Sequence, residues 1–256
     1  MGILEGRTAI IIGASSGVGY GTALRFAEEG ADVIAGARRL DRLEKLKAEA
    51  AERGFAGSIV PVRMDVANEE DLDTAVRTAA DLYGKIDILA CIAQGGLNEQ
   101  RVLMETTKEA CMNSYLTGPV YSLLMIQKCF PYMKEQGYGR ILLTASGAAF
   151  NAPVGTTAYG MAKAAVVDLT RYAAQELGRY GITVNCFTPV LMNDHFGVAG
   201  EGPVSAEMVA AHIPVGYMGD PYKDGSPLLA FLVSEQAHYI NGQIISVCGG
   251  VDLHIG

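Results

Sequence analysis

Short apolar runs alternate with amphipathic stretches from the first residues onward. Thr8–Ile12, Ala31–Ala35, Ile59–Arg63 and Ile86–Ala93 are compact and largely apolar, the pattern of buried strands. Between them, Leu24, Phe26 and Ala27 mark a helix ending near Gly30, and Leu40–Arg53 reads as an amphipathic helix stopping at Gly54. Asn68, with Asp71 three residues on, caps a helix running to about Tyr83. Two longer helices, near Glu109–Cys129 and Tyr159–Tyr180, flank a strand at Arg140–Ala145, and Thr183–Phe187 and Gln243–Val247 are the last strands. Such alternation predicts an α/β fold, a doubly wound parallel sheet of about seven strands with helices on both faces. A loop-rich stretch at about 190–220, with one short helical pattern near Ser205–His212, is long enough to expect a functional role.

Composition narrows this picture. The 256 residues suit one domain, with no linker or internal repeat to divide them. The formal net charge is −8 and the Lys and Arg residues are scattered, so nucleic acid is not an expected partner. The opening residues lack the layout of a signal peptide, Gly6 stands where a myristoylation site needs Ser or Thr, and the apolar runs are too short to cross a bilayer. A soluble, cytoplasmic protein with no membrane partner is expected. The five cysteines form no Cys-x-x-Cys and read as buried free thiols, and the four histidines lack metal-ligand spacing, so no metal is expected.

The candidate chemistry begins where the first strand runs into Gly13-Ala14-Ser15-Ser16-Gly17-Val18-Gly19. A Gly-rich strand-to-helix turn lets main chain approach a pyrophosphate, and the helix N-terminus offers N–H groups and positive dipole. Further on, Tyr159 and Lys163 stand one helical turn apart, and Ser146 lies 13 residues before Tyr159, just past a strand. Asn113 sits inside the preceding long helix, Asp65-Val66 follows the third strand, and Asn185 precedes Pro189. Taken in this order, the set resembles the short-chain dehydrogenase/reductase family over essentially the whole chain.

The resemblance implies one Rossmann-like domain over 1–256, with a cofactor half at about 1–140 and a catalytic and substrate half at about 141–256. It makes Tyr159 the general acid/base and Ser146 the holder of the substrate oxygen. Lys163 would lower the Tyr159 pKa and bond the nicotinamide ribose, and Asn113 would anchor a water-linked proton path. Such a shuttle needs help, because a free phenol titrates near pH ~10. Cofactor contacts are expected from Gly13, Ser15, Ser16, Gly17, Val18 and Gly19, from Asp65, Val66, Ala93 and Gln94, and from Tyr159, Lys163, Pro189, Val190 and Met192. Cofactor choice rests on the end of the second strand, Gly36-Ala37-Arg38-Arg39, where an acidic residue would select NAD and an Arg accommodates the NADP phosphate. NADP(H) is expected, held by Arg38 with Arg39 beside it.

Departures from the family pattern are equally specific. The family's Asn-Asn-Ala-Gly is Cys91-Ile92-Ala93-Gln94 here, placing a side chain where close main-chain approach is expected. Its Pro-Gly is Pro189-Val190, and Asp194 takes the usual Thr position, although Met192 could still offer an N–H there. Ser146, Tyr159, Asp194 and Phe196 are the expected substrate contacts. The stretch Tyr180–Tyr222 holds no Lys or Arg but many apolar residues, which favours a bulky apolar ketone or alcohol such as a hydroxysteroid or bile acid. Reduction of a 3-oxoacyl thioester is the enzymatic alternative, and a non-catalytic cofactor-binding regulator is the other. Apolar residues on the two long helices (Leu123, Leu124, Ile126; Val166, Val167, Leu169) predict a homotetramer or a dimer.

Overall fold

The computed structural model describes residues 2–95, 101–193 and 209–252. Its strands are β1 (Thr8–Ile12), β2 (Asp32–Ala37), β3 (Ile59–Arg63), β4 (Ile88–Cys91), β5 (Gly139–Thr144), β6 (Ile182–Pro189) and β7 (Ile244–Val247). They form one sheet in the order β3-β2-β1-β4-β5-β6-β7, with every pair parallel. This is the Rossmann-like architecture expected from the sequence. Neighbouring residues of a strand point to opposite faces, so β1 divides its apolar side chains between two cores. Ile10 and Ile12 face a core built with α3 (Glu69–Tyr83), α5 (Tyr121–Gln136) and α7 (Thr157–Leu177). Ala9 and Ile11 face the other, built with α1 (Gly17–Glu28), α2 (Leu40–Glu52) and α8 (Ser226–Leu232).

The strands and first helices lie close to their predicted places, but two local readings change. Asn68 does cap α3, its side chain accepting from the Glu70 N–H at 3.0 Å, whereas Asp71 reaches past it to the Asp65 N–H at 2.7 Å. The continuous helix expected over Glu109–Cys129 is broken into α4 (Lys108–Tyr115), a π-turn at Leu116–Val120, and α5. Pro119 lies in that turn and has no N–H to continue the ladder. In the same turn the Thr117 hydroxyl donates to the Asn113 carbonyl at 2.7 Å. Two helical pieces had no counterpart in the sequence reading, a short α6 (Ala148–Asn151) and α8. The first half of the helical pattern at 205–212 lies outside the described residues.

The amino edge of the sheet is tied by charge. Asp87, buried at the start of β4, accepts from the Thr8 N–H at 2.8 Å and pairs with Arg7 and Lys85 at 3.1 Å each. The Tyr138 ring lies against the guanidiniums of Arg7 and Arg140, at 3.8 and 4.2 Å from its centroid. Buried Arg140 donates to the Gly139 and Gly181 carbonyls, and Glu235 reaches both arginines. Among the described residues no helix is long and apolar enough to cross a membrane.

Candidate active site

At the opposite, carboxyl edge, the strand order reverses between β1 and β4, and the connections from these two strands leave on different faces. A crevice opens there, as in other doubly wound sheets. It is a cavity of about 960 Å³ that extends from the turn after β1 to the start of α7. The turn is shaped by contacts only glycine allows. Gly13 has φ +97°, and a Cβ on it would lie 2.7 Å from the Ala93 nitrogen. A Cβ on Gly19 would stand 2.1 Å from the Gly13 oxygen, so α1 comes down directly on the turn. Ser16 leads into α1 without its side chain capping the helix, which leaves the first N–H groups facing the cavity. These features fit the diphosphate of a dinucleotide.

Next to the turn, the two arginines divide. The Arg39 guanidinium lies on the loop, donating to the Ser15 hydroxyl at 2.9 Å and to the Ser16 hydroxyl at 2.8 Å. Arg38 also lines the cavity but is exposed and makes no such contact with the loop. No carboxylate closes β2, which ends at Ala37. Asp65, Val66, Ala93 and Gln94 line the same wall, as do Pro189 and Val190. Gln94 departs from expectation in a useful way. Its side chain turns away toward the break between α4 and α5, where the amide donates to the Gly95 and Ser114 carbonyls at 2.9 and 3.1 Å. There it occupies space left by Gly118, whose missing Cβ would meet Gln94 Oε1 at 2.6 Å. The Tyr121 hydroxyl, donating to the Ala93 carbonyl at 2.9 Å, fixes the turn from behind.

Asn113, Ser146, Tyr159 and Lys163 all line the cavity. The Ser146 hydroxyl, past the end of β5, accepts from the Ala148 N–H at 3.2 Å. Burial raises the Tyr159 phenol above its ordinary value, and the Ser146 hydroxyl beside it works the other way. Lys163 is fully buried, 5.7 Å from the Tyr159 ring centroid, with Nζ donating to the Thr144 carbonyl at 2.6 Å. Burial pulls its ammonium down to about 8. Two thiols close enough to feel that charge, Cys91 and Cys186, are pushed up to about 12 and about 11 by burial, so neither offers Lys163 a counter-anion at neutral pH. The lowering of the phenol expected from Lys163 is therefore not a property of the chain alone.

Not every expected contact converges. Met192 is not on the cavity wall, and its N–H is spent on the Gly219 carbonyl at 2.9 Å, beside a bridge between Leu191 and Gly219. Val190 likewise gives its N–H to Val247. Asp194 and Phe196 lie outside the described residues. Conversely, Arg101, Asn151 and Asp252 line the cavity without having been singled out. The Asn151 amide donates to the Asp252 carboxylate at 2.6 Å, and Asp252 packs on Gly147, where a Cβ would lie 2.1 Å from Oδ2. Gly147, next to the noted Ser146, was the available hint, but nothing local links it to a residue about a hundred positions later. Among the described residues, no group of three or more His, Cys, Asp or Glu is placed to hold a metal.

A family model described as Enoyl-(Acyl carrier protein) reductase matches residues 13–252. The chain belongs to the short-chain dehydrogenase/reductase family. Members of this oxidoreductase family bind a nicotinamide cofactor, NAD or NADP. The chain is 35% identical to the hydroxy(phenyl)methylsuccinyl-CoA dehydrogenase subunit BbsD of Thauera aromatica, covering all of both chains. It is 32% identical to the 3-oxoacyl-(acyl-carrier-protein) reductase FabG of Thermotoga maritima, over 97% of this chain and 98% of that one. Among solved structures, a 7α-hydroxysteroid dehydrogenase complexed with NADH and 7-oxo glycochenodeoxycholic acid superposes with a TM-score of 0.88 at 29% identity, covering 99% and 97%.

The buried ammonium has a thermodynamic consequence. The unfolded chain keeps the Lys163 proton to its ordinary value of 10.5, while the folded chain releases it above about 8. Between those values the unfolded state binds more protons, so this group makes stability rise with pH across the window. Below it, the fold carries a cost of roughly 2–4 kcal/mol, part of which the Thr144 contact offsets. Lys163→Met should therefore raise the urea midpoint of the cofactor-free protein at pH 7, with the gain fading as pH climbs past about 8. A lowered midpoint at neutral pH would show that the site tolerates the charge without strain.

Proposed function

We propose that this short-chain dehydrogenase/reductase interconverts a secondary alcohol and a ketone with NADP(H), acting on a bulky, largely apolar substrate. The observation that supports this best is that Ser146, Tyr159, Lys163 and Asn113 share one cavity with the glycine turn. The bound nicotinamide supplies or accepts the hydride. Ser146 donates a hydrogen bond to the substrate oxygen, and Tyr159 gives that oxygen its proton in reduction or takes it in oxidation. Lys163 holds its ammonium beside the phenol, adding positive charge where a phenolate develops. Asn113, at the helix break, lines the same cavity and anchors the water-linked path that leads the proton out. Exposed Val102, Leu103, Met104, Phe150 and Val154 flank wall residues Arg101, Asn151 and Pro153, which suits an apolar substrate body. Reduction of a 3-oxoacyl thioester is the second reading, favoured by the similarity to FabG. The five free thiols, four of them buried, favour a reducing cytoplasmic setting.

For assembly, a dimer or homotetramer is proposed on a surface that keeps Leu123 of the side chains first chosen. Ile126, Val166 and Val167 are buried within the chain, whereas Met112, Leu116, Val120 and Leu123 form an exposed stripe along α4, the π-turn and α5.

Three measurements test this account. Tyr159→Phe keeps the ring but deletes the proton donor, so turnover should fall by about 10²–10⁴-fold while NADPH still binds; near-parental turnover would refute the assignment. Arg39→Ala should weaken NADPH binding far more than NADH, by about tenfold or more, because a charge-assisted contact to the 2′-phosphate is lost, with Arg38→Ala the smaller effect. Equal changes for both cofactors would remove the basis for NADP(H). Light scattering should report an assembly that Leu116→Asp with Leu123→Asp reduces to monomer; a monomeric parent overturns the interface.

A further inference from the structure

We propose that Arg101 seats an anionic end of the substrate, so that the preferred ketone or alcohol has an apolar body terminating in a carboxylate or phosphate. This rests on the carbonyl-reductase reading and adds the charge of the substrate to it. Four cations line the cavity: Arg38, Arg39, Lys163 and Arg101. Arg38 and Arg39 stand beside the cofactor turn, and Lys163 is held by Thr144. Arg101 is left on the substrate side. It is exposed, and among the described residues its guanidinium has no hydrogen bond, ion pair or ring contact.

Its main chain, by contrast, is fixed. The Arg101 N–H donates to the Gly155 carbonyl at 2.9 Å, and Arg101 bridges to Thr156, immediately before α7. A free cation is thus tethered to the entry of the helix that carries Tyr159, with a flexible side chain to reach a group some distance from the reacting oxygen. The carboxylate of Asp252 lines the same cavity and is locked to Asn151. An anionic end entering there is repelled by Asp252 and attracted by Arg101, which gives the substrate one orientation. The apolar residues that follow Arg101, Val102 to Met104, are exposed and can cover the neutral body.

The test uses the NADPH-loaded enzyme and two pairs of ketones. One is a keto-steroid carboxylic acid with its methyl ester; the other is acetoacetyl-CoA with its N-acetylcysteamine thioester. The parent should favour the charged member of one pair by about ten- to hundredfold in kcat/KM, mostly through KM, as expected for a charged hydrogen bond. Arg101→Ala should bring that ratio close to one, Arg101→Lys should restore part of it, and added salt should erode it. The pair that shows the preference identifies the anion as carboxylate or phosphate. Ratios near one for both pairs in the parent, or ratios unmoved by Arg101→Ala, overturn the proposal while leaving carbonyl reduction intact. If neither pair is reduced, the carbonyl-reductase reading fails on its own. Quenching of bound NADPH fluorescence by each charged and neutral partner then tests Arg101 directly, with the same ratios expected and the same result overturning it.

Discussion

Parallel pairing of β1 with both β2 and β4 forces the chain to leave these neighbouring strands on opposite faces of the sheet. No backbone can bridge the gap this opens at their carboxyl ends, and that vacancy organises everything above the sheet. The glycine turn closes one side because α1 can come down on the turn only where Gly19 lacks a side chain, and the turn can lie against Ala93 only where Gly13 does. The other side is built from β5 and α7, which deliver Ser146 and Tyr159 to the same space. Since β1, β4 and β5 are wholly buried, the positions of these groups are set largely by core packing.

The electrostatics follow from the same burial. A lysine with no carboxylate partner among the described residues sits beneath the cavity, held by a main-chain carbonyl and flanked by protonated thiols. This arrangement is costly for folding and useful for chemistry, because an ammonium short of neutralising charge stabilises a developing phenolate strongly. Tyr159 alone, raised by its own burial, favours the protonated form that the proposed ketone reduction requires. Movement of that proton depends on what binds above it.

Much of this was readable from the chain. Strands such as Thr8–Ile12 and Ile59–Arg63 announce themselves because they are short, apolar and followed by turn chemistry. The Gly13–Gly19 turn and the Tyr159/Lys163 pair are local patterns with a fixed spacing, so one-dimensional reading finds them. What escaped it was set by side-chain direction or by long-range return of the chain. Arg38 and Arg39 are adjacent, and only the path out of β2 decides that Arg39 lies on the serines. Gln94 looked like an obstruction until its side chain was seen to fill the space beside Gly118. Asp252 meets Asn151 from 101 positions further along the sequence, with no periodicity to reveal it.

The two ends of the sheet also divide their labour in a way that bears on how such a protein changes over time. Arg7, Asp87, Tyr138, Arg140 and Glu235 knit the amino edge together, a strand's length from the cavity. Five residues of strand separate the edges by about 17 Å, beyond the range at which substitutions usually interact energetically. Substitutions around the cavity mouth should then add to, rather than multiply, those in the charged knot. A lineage could exchange one substrate for another at the carboxyl edge, drawing on a reserve of stability held at the far edge and leaving that reserve unspent.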